Sequence, residues 1–94
     1  MDIRILHYFV TIAQEKNITR AAERLLITQP TLSRQLKELE EELGVSLFHR
    51  ANREMTLTED GQYLYNRAQE ILQLVSKTEE NLTRKDEIGG DLYI

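Results

Sequence analysis

The sequence contains no cysteine, and this absence excludes several classes of site. There can be no disulfide framework, no thiolate nucleophile and no zinc or iron–sulfur site with cysteine ligands. Proline is almost absent too, since Pro30 is the only one. The stretch from Thr58 to the glycine pair Gly89 and Gly90 therefore has no proline to interrupt a helix.

Long hydrophobic runs are also missing. The longest apolar runs, such as residues 8–10 and 25–27, are far too short to span a bilayer. The chain opens without the pattern of a signal peptide, so we expect a soluble, cytoplasmic protein. Its 94 residues allow one small domain, whose core would be thin without oligomerisation.

Residues 29–43 predict a helix with two clearly different faces. Leucines recur at spacings of four, three and four along one face, at Leu32, Leu36, Leu39 and Leu43. The opposite face and its flank carry polar or exposed residues, namely Gln29, Pro30, Ser33, Arg34 and Lys37. Thr28 is a suitable N-cap, and Pro30 fits a first turn in which a missing N–H costs little. The helix is therefore expected to bury its leucines and leave its N-terminal turns uncovered.

A shorter helix is predicted just before it, capped by Thr19, with Ala21, Ala22 and Leu25 facing inward. Two short helices joined by a tight corner are the parts of a helix-turn-helix, whose second helix enters the DNA major groove. The exposed turn of that helix carries suitable chemistry. Glutamine can pair with adenine, arginine with guanine, and serine or free backbone N–H groups with phosphate.

The residues after Gly44 predict a two-stranded wing. Residues 45–50 form a short extended run, 51–54 a polar turn and 55–57 a return strand. Arg50 and Arg53 lie at the shoulders and tip of this wing, where a guanidinium can reach phosphates or the minor groove. Glu54 departs from a purely basic wing.

A long helix is predicted from Thr58 onward, with Thr58 as its cap. An apolar seam with heptad-like spacing runs along it through Leu64, Ala68, Ile71, Val75, Thr78 and Leu82, widened by Leu72. At 1.5 Å per residue, about 28 residues span about 42 Å, longer than a three-helix head can cover. We therefore predict a homodimer through this seam, and a tetramer stays open for a full-length protein. The alternative is that the seam folds back on the chain's own head.

Five ordered segments resemble one family. They read DIRILHYFVTIAQ at 2–14, TRAAERL at 19–25, TQPTLSRQL at 28–36, E-L-G-V-x-L-F-x-R at 42–50 and L-T-x-x-G at 57–61. Together they resemble the N-terminal winged helix-turn-helix of LysR-type transcriptional regulators, over residues 1 to about 85. The resemblance implies a bacterial, sequence-specific DNA-binding regulator that binds double-stranded DNA at an inverted-repeat operator.

The fold expected from these patterns is mainly α: a winged helix-turn-helix of three helices and a two-stranded wing, followed by a long dimerisation helix. Its DNA-binding domain spans 1–58, its linker helix 59–88, and 89–94 begin a further domain. In the resembled family this further domain is a ligand-sensing α/β domain, so a small-molecule effector would bind outside this chain. Residues 91–94 are predicted to be its first strand.

The candidate DNA-binding residues are Thr19, Gln29, Pro30, Thr31, Ser33, Arg34, Lys37, Arg50 and Arg53. The net charge of −4 runs against the usual basic footprint of nucleic-acid binding. However, the glutamates crowd the far end of the second helix, at Glu38 and 40–42, away from these candidates. The simpler alternative for each candidate is an ordinary solvated surface.

Other functions find less support in the sequence. No carboxylate lies beside a histidine, a serine nucleophile or a phosphate-binding loop in a recognisable arrangement, so we expect neither an enzyme nor a cofactor. His7 and His49 lack neighbours with ligand spacing, which argues against a metal site. The main alternative is a winged helix that binds protein instead of DNA, because the scaffold can do either. A complete small repressor of another winged-helix family is the second alternative.

Overall fold

The computed structural model describes residues 1–50 and 54–87, with side chains as far as residue 83. These residues form four helices and two short strands. The elements are α1 (Ile3–Glu15), α2 (Ile18–Leu25), α3 (Gln29–Leu43), β1 (Phe48–His49), β2 (Thr56–Leu57) and α4 (Glu59–Glu87). The prediction of a mainly α winged helix-turn-helix with a long last helix is confirmed. The predicted strand at 91–94, the Gly89–Gly90 break and the wing residues 51–53 lie outside the described residues.

Capping residues define three helix ends, and the predicted cap at Thr28 is confirmed. The Asp2 side chain accepts the N–H of Ile5 at 2.9 Å and begins α1. The Thr28 hydroxyl accepts the N–H of Thr31 at 3.4 Å and begins α3. Gly44, with a φ of 73°, ends α3 in the left-handed conformation that a glycine adopts without steric cost.

The junction between α1 and α2 differs from the sequence prediction. The N-cap of α2 is Asn17, whose side-chain oxygen accepts the N–H of Arg20 at 2.8 Å, so Thr19 lies inside the helix. The left-handed residue that ends α1 is Lys16, with a φ of 57°. The prediction that Thr19 caps α2 is therefore wrong. Asparagine is the stronger N-cap of the two, and it takes the extended backbone that a cap requires.

The corner between α2 and α3 depends on an unexpected residue. Leu26 ends α2 with a φ of 60°, and its side chain is 90% exposed. A left-handed conformation costs a residue with a Cβ roughly 1–2 kcal/mol. The following N–H, of Ile27, bonds to the carbonyl of Ala22 at 3.0 Å and closes the corner. The strained backbone of Leu26 therefore allows the sharp turn that brings α3 across α2.

The core lies where the three short helices meet the wing and the start of α4. Ala21 and Ala22 are buried, as predicted, and their small side chains permit a close crossing of the helices. Phe9 of α1 packs on Phe48 of β1, with ring centroids 5.4 Å apart. The buried set also includes Leu32, Leu36 and Leu39 of the α3 stripe. The prediction that Leu43 is buried with them is wrong, because the core does not extend to the last residue of α3, where Leu43 is 38% exposed.

The wing is bonded directly to the beginning of α4. Strands β1 and β2 pair antiparallel, with Phe48 opposite Leu57. The N–H of Thr58 donates to the carbonyl of Leu47 at 3.0 Å, and the Thr58 hydroxyl donates to the carbonyl of Ser46 at 2.7 Å. The same hydroxyl accepts the N–H of Gly61 at 2.9 Å, which confirms Thr58 as the cap of α4.

Helix α4 divides into a covered and an uncovered part. Leu64 and Ala68 are buried in the core of the same chain, and Ala68 is 0% exposed. The chain's own head therefore covers both residues, which were predicted for the dimer interface, and leaves little of their surface for a partner. Further along, Leu74 and Leu82 are 65% and 57% exposed. Within the described residues, no helix is long and apolar enough to cross a membrane.

Candidate nucleic-acid interface

The face of α3 that carries the candidate DNA-binding residues is accessible at the surface. Pro30, Arg34 and Lys37 are exposed, and Gln29, Thr31 and Ser33 are partly exposed. Thr19 is exposed in the first turn of α2. Because the leucine stripe on the opposite side of α3 is buried, rotation of the helix is fixed, and these polar side chains all lie outside the core.

The first turn of α3 is ordered by hydrogen bonds between its own side chains. The Gln29 side-chain amide donates to the Ser33 hydroxyl at 2.6 Å, and the Thr28 hydroxyl donates to the Thr31 hydroxyl at 2.8 Å. An amide that gives one N–H to serine keeps a second N–H and its oxygen for a base edge. The turn therefore presents a donor and an acceptor in a held conformation.

Arg34 and Lys37 remain available on the next turn. The nearest carboxylate to Arg34 is that of Glu38, 4.0 Å from its Nε, and both side chains are 60% exposed. An exposed pair at that distance holds the guanidinium weakly. Within the part of the chain that the structure describes, Lys37 takes part in no ion pair. Both cations can thus turn toward a ligand at little cost.

A groove of about 760 Å³ separates α3 from the wing. Its walls include Gln29, Ser33 and Lys37 from α3, and Arg50, which follows β1 in the wing. Three carboxylates also line it, those of Glu40, Glu41 and Glu54. The groove is therefore mixed in charge, and the departure noted at Glu54 lies in its wall.

Arg50, which lines this groove, forms an ion pair with Glu40. Its Nη2 lies 3.0 Å from Oε1 of Glu40, whose side chain is 12% exposed, while that of Arg50 is 51% exposed. The other oxygen of Glu40 accepts the N–H of Leu47 at 2.8 Å. The second wing candidate, Arg53, lies outside the described residues.

The sequence interpretation missed the role of Glu40. It treated Glu38 and residues 40–42 as one acidic group, whereas the structure separates them. Glu42 pairs with the N-terminal amine of Met1, and Glu38 lies near Arg34. Of these four glutamates, Glu40 forms the hydrogen bonds to the wing, with Leu47 and Arg50. Its position one turn after Leu36, at the edge of the buried stripe, was the available signal.

Part of the predicted dimer surface is accessible in the single chain. Beyond Ala68, the seam residues Ile71, Thr78 and Leu82 are exposed, and Leu72 and Val75 are half-buried. Leu74 extends the apolar strip on one side. No group of three or more potential metal ligands occurs among the described residues.

Comparison with known proteins gives consistent matches. The family described as bacterial regulatory helix-turn-helix protein, lysR family, matches residues 3–62. The HTH-type transcriptional regulator BsdA of Bacillus subtilis is 51% identical over 96 residues, covering 100% of this chain and 33% of that protein. BenM of Acinetobacter baylyi is 44% identical over 82 residues, covering 83% of this chain and 27% of that protein. The chain thus spans about a third or less of these relatives.

Solved structures agree with the sequence matches. A crystal structure of a BenM_DBD/catB site 1 DNA complex has a TM-score of 0.88 at 40% identity, covering 92% of this chain and 96% of that one. A crystal structure of a CbnR_DBD–DNA complex has a TM-score of 0.84 at 35% identity, covering 92% and 99%.

Proposed function

Because the chain belongs to the lysR family of bacterial regulatory helix-turn-helix proteins, we propose that it is the DNA-binding part of a transcription regulator. The observation that carries the proposal is the uncovered N-terminal half of α3, where Gln29, Ser33 and Arg34 stand together beside the groove. A helix that buries its opposite face and presents these groups has the chemistry to read base edges in a major groove.

The other contacts follow from the same placement. Lys37 is one turn further along α3 and binds phosphate, and Thr19 and Thr31 contact the backbone at the two ends of the corner. For Arg53, which lies outside the described residues, contact with phosphates or the minor groove stays a prediction. The similar chains in the DNA complexes named above support this arrangement, since they match over more than nine-tenths of this chain.

Two copies of the chain bind together. An apolar strip of α4 remains uncovered at Ile71, Leu74, Val75, Thr78 and Leu82, with Leu72 partly packed against the core at its edge. An exposed apolar patch of this kind marks an interaction surface. A two-fold axis buries the same strip of both chains. With antiparallel α4 helices, the two heads present their recognition helices to one face of DNA. The operator is then an inverted repeat with half-sites about one turn, roughly 34 Å, apart.

The whole protein extends this proposal. A cytoplasmic regulator without enzymatic activity, which senses a small-molecule effector through a further domain, fits the lengths of the relatives, of which this chain covers 33% and 27%. In such a protein the dimer can assemble further into a tetramer.

A protein-binding winged helix is the competing function, and the net charge of −4 and the three glutamates in the groove favour it. Electrophoretic mobility shift with duplex DNA at low and moderate salt separates the two. We expect a complex at low salt that weakens as salt rises, because phosphate contacts release counterions. A chain that forms no salt-dependent complex would be a protein-binding module.

Arg34→Ala is expected to weaken binding to the specific site by about 1–3 kcal/mol and to relax preference at one base pair. Lys37→Ala, its matched control, should weaken all duplexes alike, because a phosphate contact carries no sequence information. Titration of each variant with the specific duplex and with single-base variants measures both effects. Unchanged affinity and preference in Arg34→Ala would show that α3 is oriented differently on DNA.

A further inference from the structure

One carboxylate joins the recognition helix to the wing. Oε2 of Glu40 accepts the N–H of Leu47 at 2.8 Å, just before β1, and Oε1 accepts from Nη2 of Arg50 at 3.0 Å, just after β1. Both contacts cross from α3 to the wing, and together they fix the two ends of the first wing strand. The Glu40 side chain is only 12% exposed, so its carboxylate is largely removed from water, whereas the Arg50 side chain is 51% exposed.

We propose that Glu40 is a positioning residue, which fixes the wing against α3 and holds the charge of Arg50 away from DNA phosphates. The second part rests on the proposed DNA-binding function. It replaces the sequence prediction that Arg50 itself neutralises a phosphate. Arg50 then contributes to the shape of the groove, and its positive charge is cancelled by the negative charge of Glu40.

The energetic argument is the burial of Glu40. If Arg50 turned to a phosphate, it would leave a carboxylate with 12% exposure without its cation. Breaking a partly buried pair by removing one partner costs far more than breaking an exposed pair, because the remaining charge is poorly solvated. A cation that is already neutralised also displaces no counterion from DNA, so it adds nothing to the salt dependence of binding.

Glu41 provides a matched control. It is the next residue of α3, lines the same groove and is exposed. Among the described residues it takes part in no ion pair. Glu41→Gln therefore removes the same negative charge as Glu40→Gln without releasing a bound arginine.

The decisive experiment measures the slope of log affinity against log salt for a random-sequence duplex, with a double-mutant cycle. Arg50→Ala should leave the slope unchanged. Glu40→Gln should steepen it by about 0.9, the contribution of one released cation, and adding Arg50→Ala to that variant should return the slope to the wild-type value. Any effect of Glu41→Gln should be the same with Arg50 or with Ala at position 50.

Two results would overturn the masking of Arg50. One is a slope flattened by about 0.9 in Arg50→Ala alone, since Arg50 would then contact a phosphate in the wild-type protein. The other is a steepening in Glu40→Gln that persists without Arg50. Melting curves check that the variants are folded, and the conservative glutamine keeps an oxygen for the Leu47 N–H.

A measurement without DNA tests the wing contact separately. Amide hydrogen exchange at Leu47 should accelerate in Glu40→Ala and stay slow in Glu40→Gln, because only the glutamine retains an acceptor. Equal exchange in all three proteins would refute the anchoring of the wing. A chain that binds no duplex at any salt would refute the proposed function and the role assigned to the Arg50 charge, while the exchange rates would still decide the wing contact.

Discussion

Gly61→Ala is expected to destabilise the chain by about 2 kcal/mol, which would lower the melting temperature by roughly 8–16 °C for a domain of this size. A Cβ at Gly61 would lie 2.0 Å from the carbonyl oxygen of Leu47 and 3.1 Å from Cδ2 of Leu57. The oxygen is a backbone atom that also accepts the N–H of Thr58, so it cannot rotate away. Either α4 or the wing must move.

The higher helix propensity of alanine, about 1 kcal/mol over glycine, offsets part of this loss. Gly44→Ala is the control, because its φ of 73° imposes strain while its added Cβ meets nothing within 4 Å. Strain alone should cost that variant about 1 kcal/mol. Urea denaturation of both variants compares them. If Gly61→Ala is as stable as the wild type, the close contact between α4 and the wing does not exist.

Ile71→Asp combined with Val75→Asp is expected to convert a dimer to a monomer and to reduce DNA binding to a weak, sequence-independent level. Both residues lie on the uncovered strip of α4, Ile71 at 36% exposure and Val75 half-buried. Two-fold pairing would place four carboxylates in one apolar interface, and unpaired charges are costly to bury. Analytical ultracentrifugation and titration of the specific duplex measure the two losses.

A control with the same added charge is Gln73→Asp with Ser76→Asp. Both of these residues are exposed, and they lie beside the strip instead of on it. This variant should remain a dimer and keep its sequence preference. The proposed seam is wrong if the Ile71 and Val75 double variant stays dimeric, or if it binds the full operator normally as a monomer.

The sequence predicted those features that one element determines by itself. The cap of α3 at Thr28 and its end after residue 43 are local patterns, and both are confirmed. The leucine stripe is confirmed at Leu32, Leu36 and Leu39 but not at Leu43, which is 38% exposed. The start of α2 is ambiguous in the sequence because Asn17 and Thr19 both suit an N-cap, and only Ile18 separates them. The left-handed Leu26 could not be predicted, because a leucine rarely takes that conformation and no glycine or asparagine marks the corner.

Features that depend on two elements were harder to predict. The heptad-like period of α4 indicates that one face of the helix is buried, but it does not indicate which element buries that face. In the structure, the chain's own head covers Leu64 and Ala68. The pairing of Glu40 with Arg50 joins residues ten apart on different elements, and composition showed only an acidic run. The candidate base-reading residues were accessible to prediction because their placement follows from the buried stripe opposite them.

The most direct test of the central claim is selection of duplexes from a random-sequence pool by the wild-type chain at moderate salt, followed by sequencing. If paired chains read DNA through α3, the enriched duplexes will be inverted repeats with half-site centres about 10 base pairs apart. A pool that shows no enrichment, or one enriched only in single half-sites without two-fold symmetry, would contradict the account.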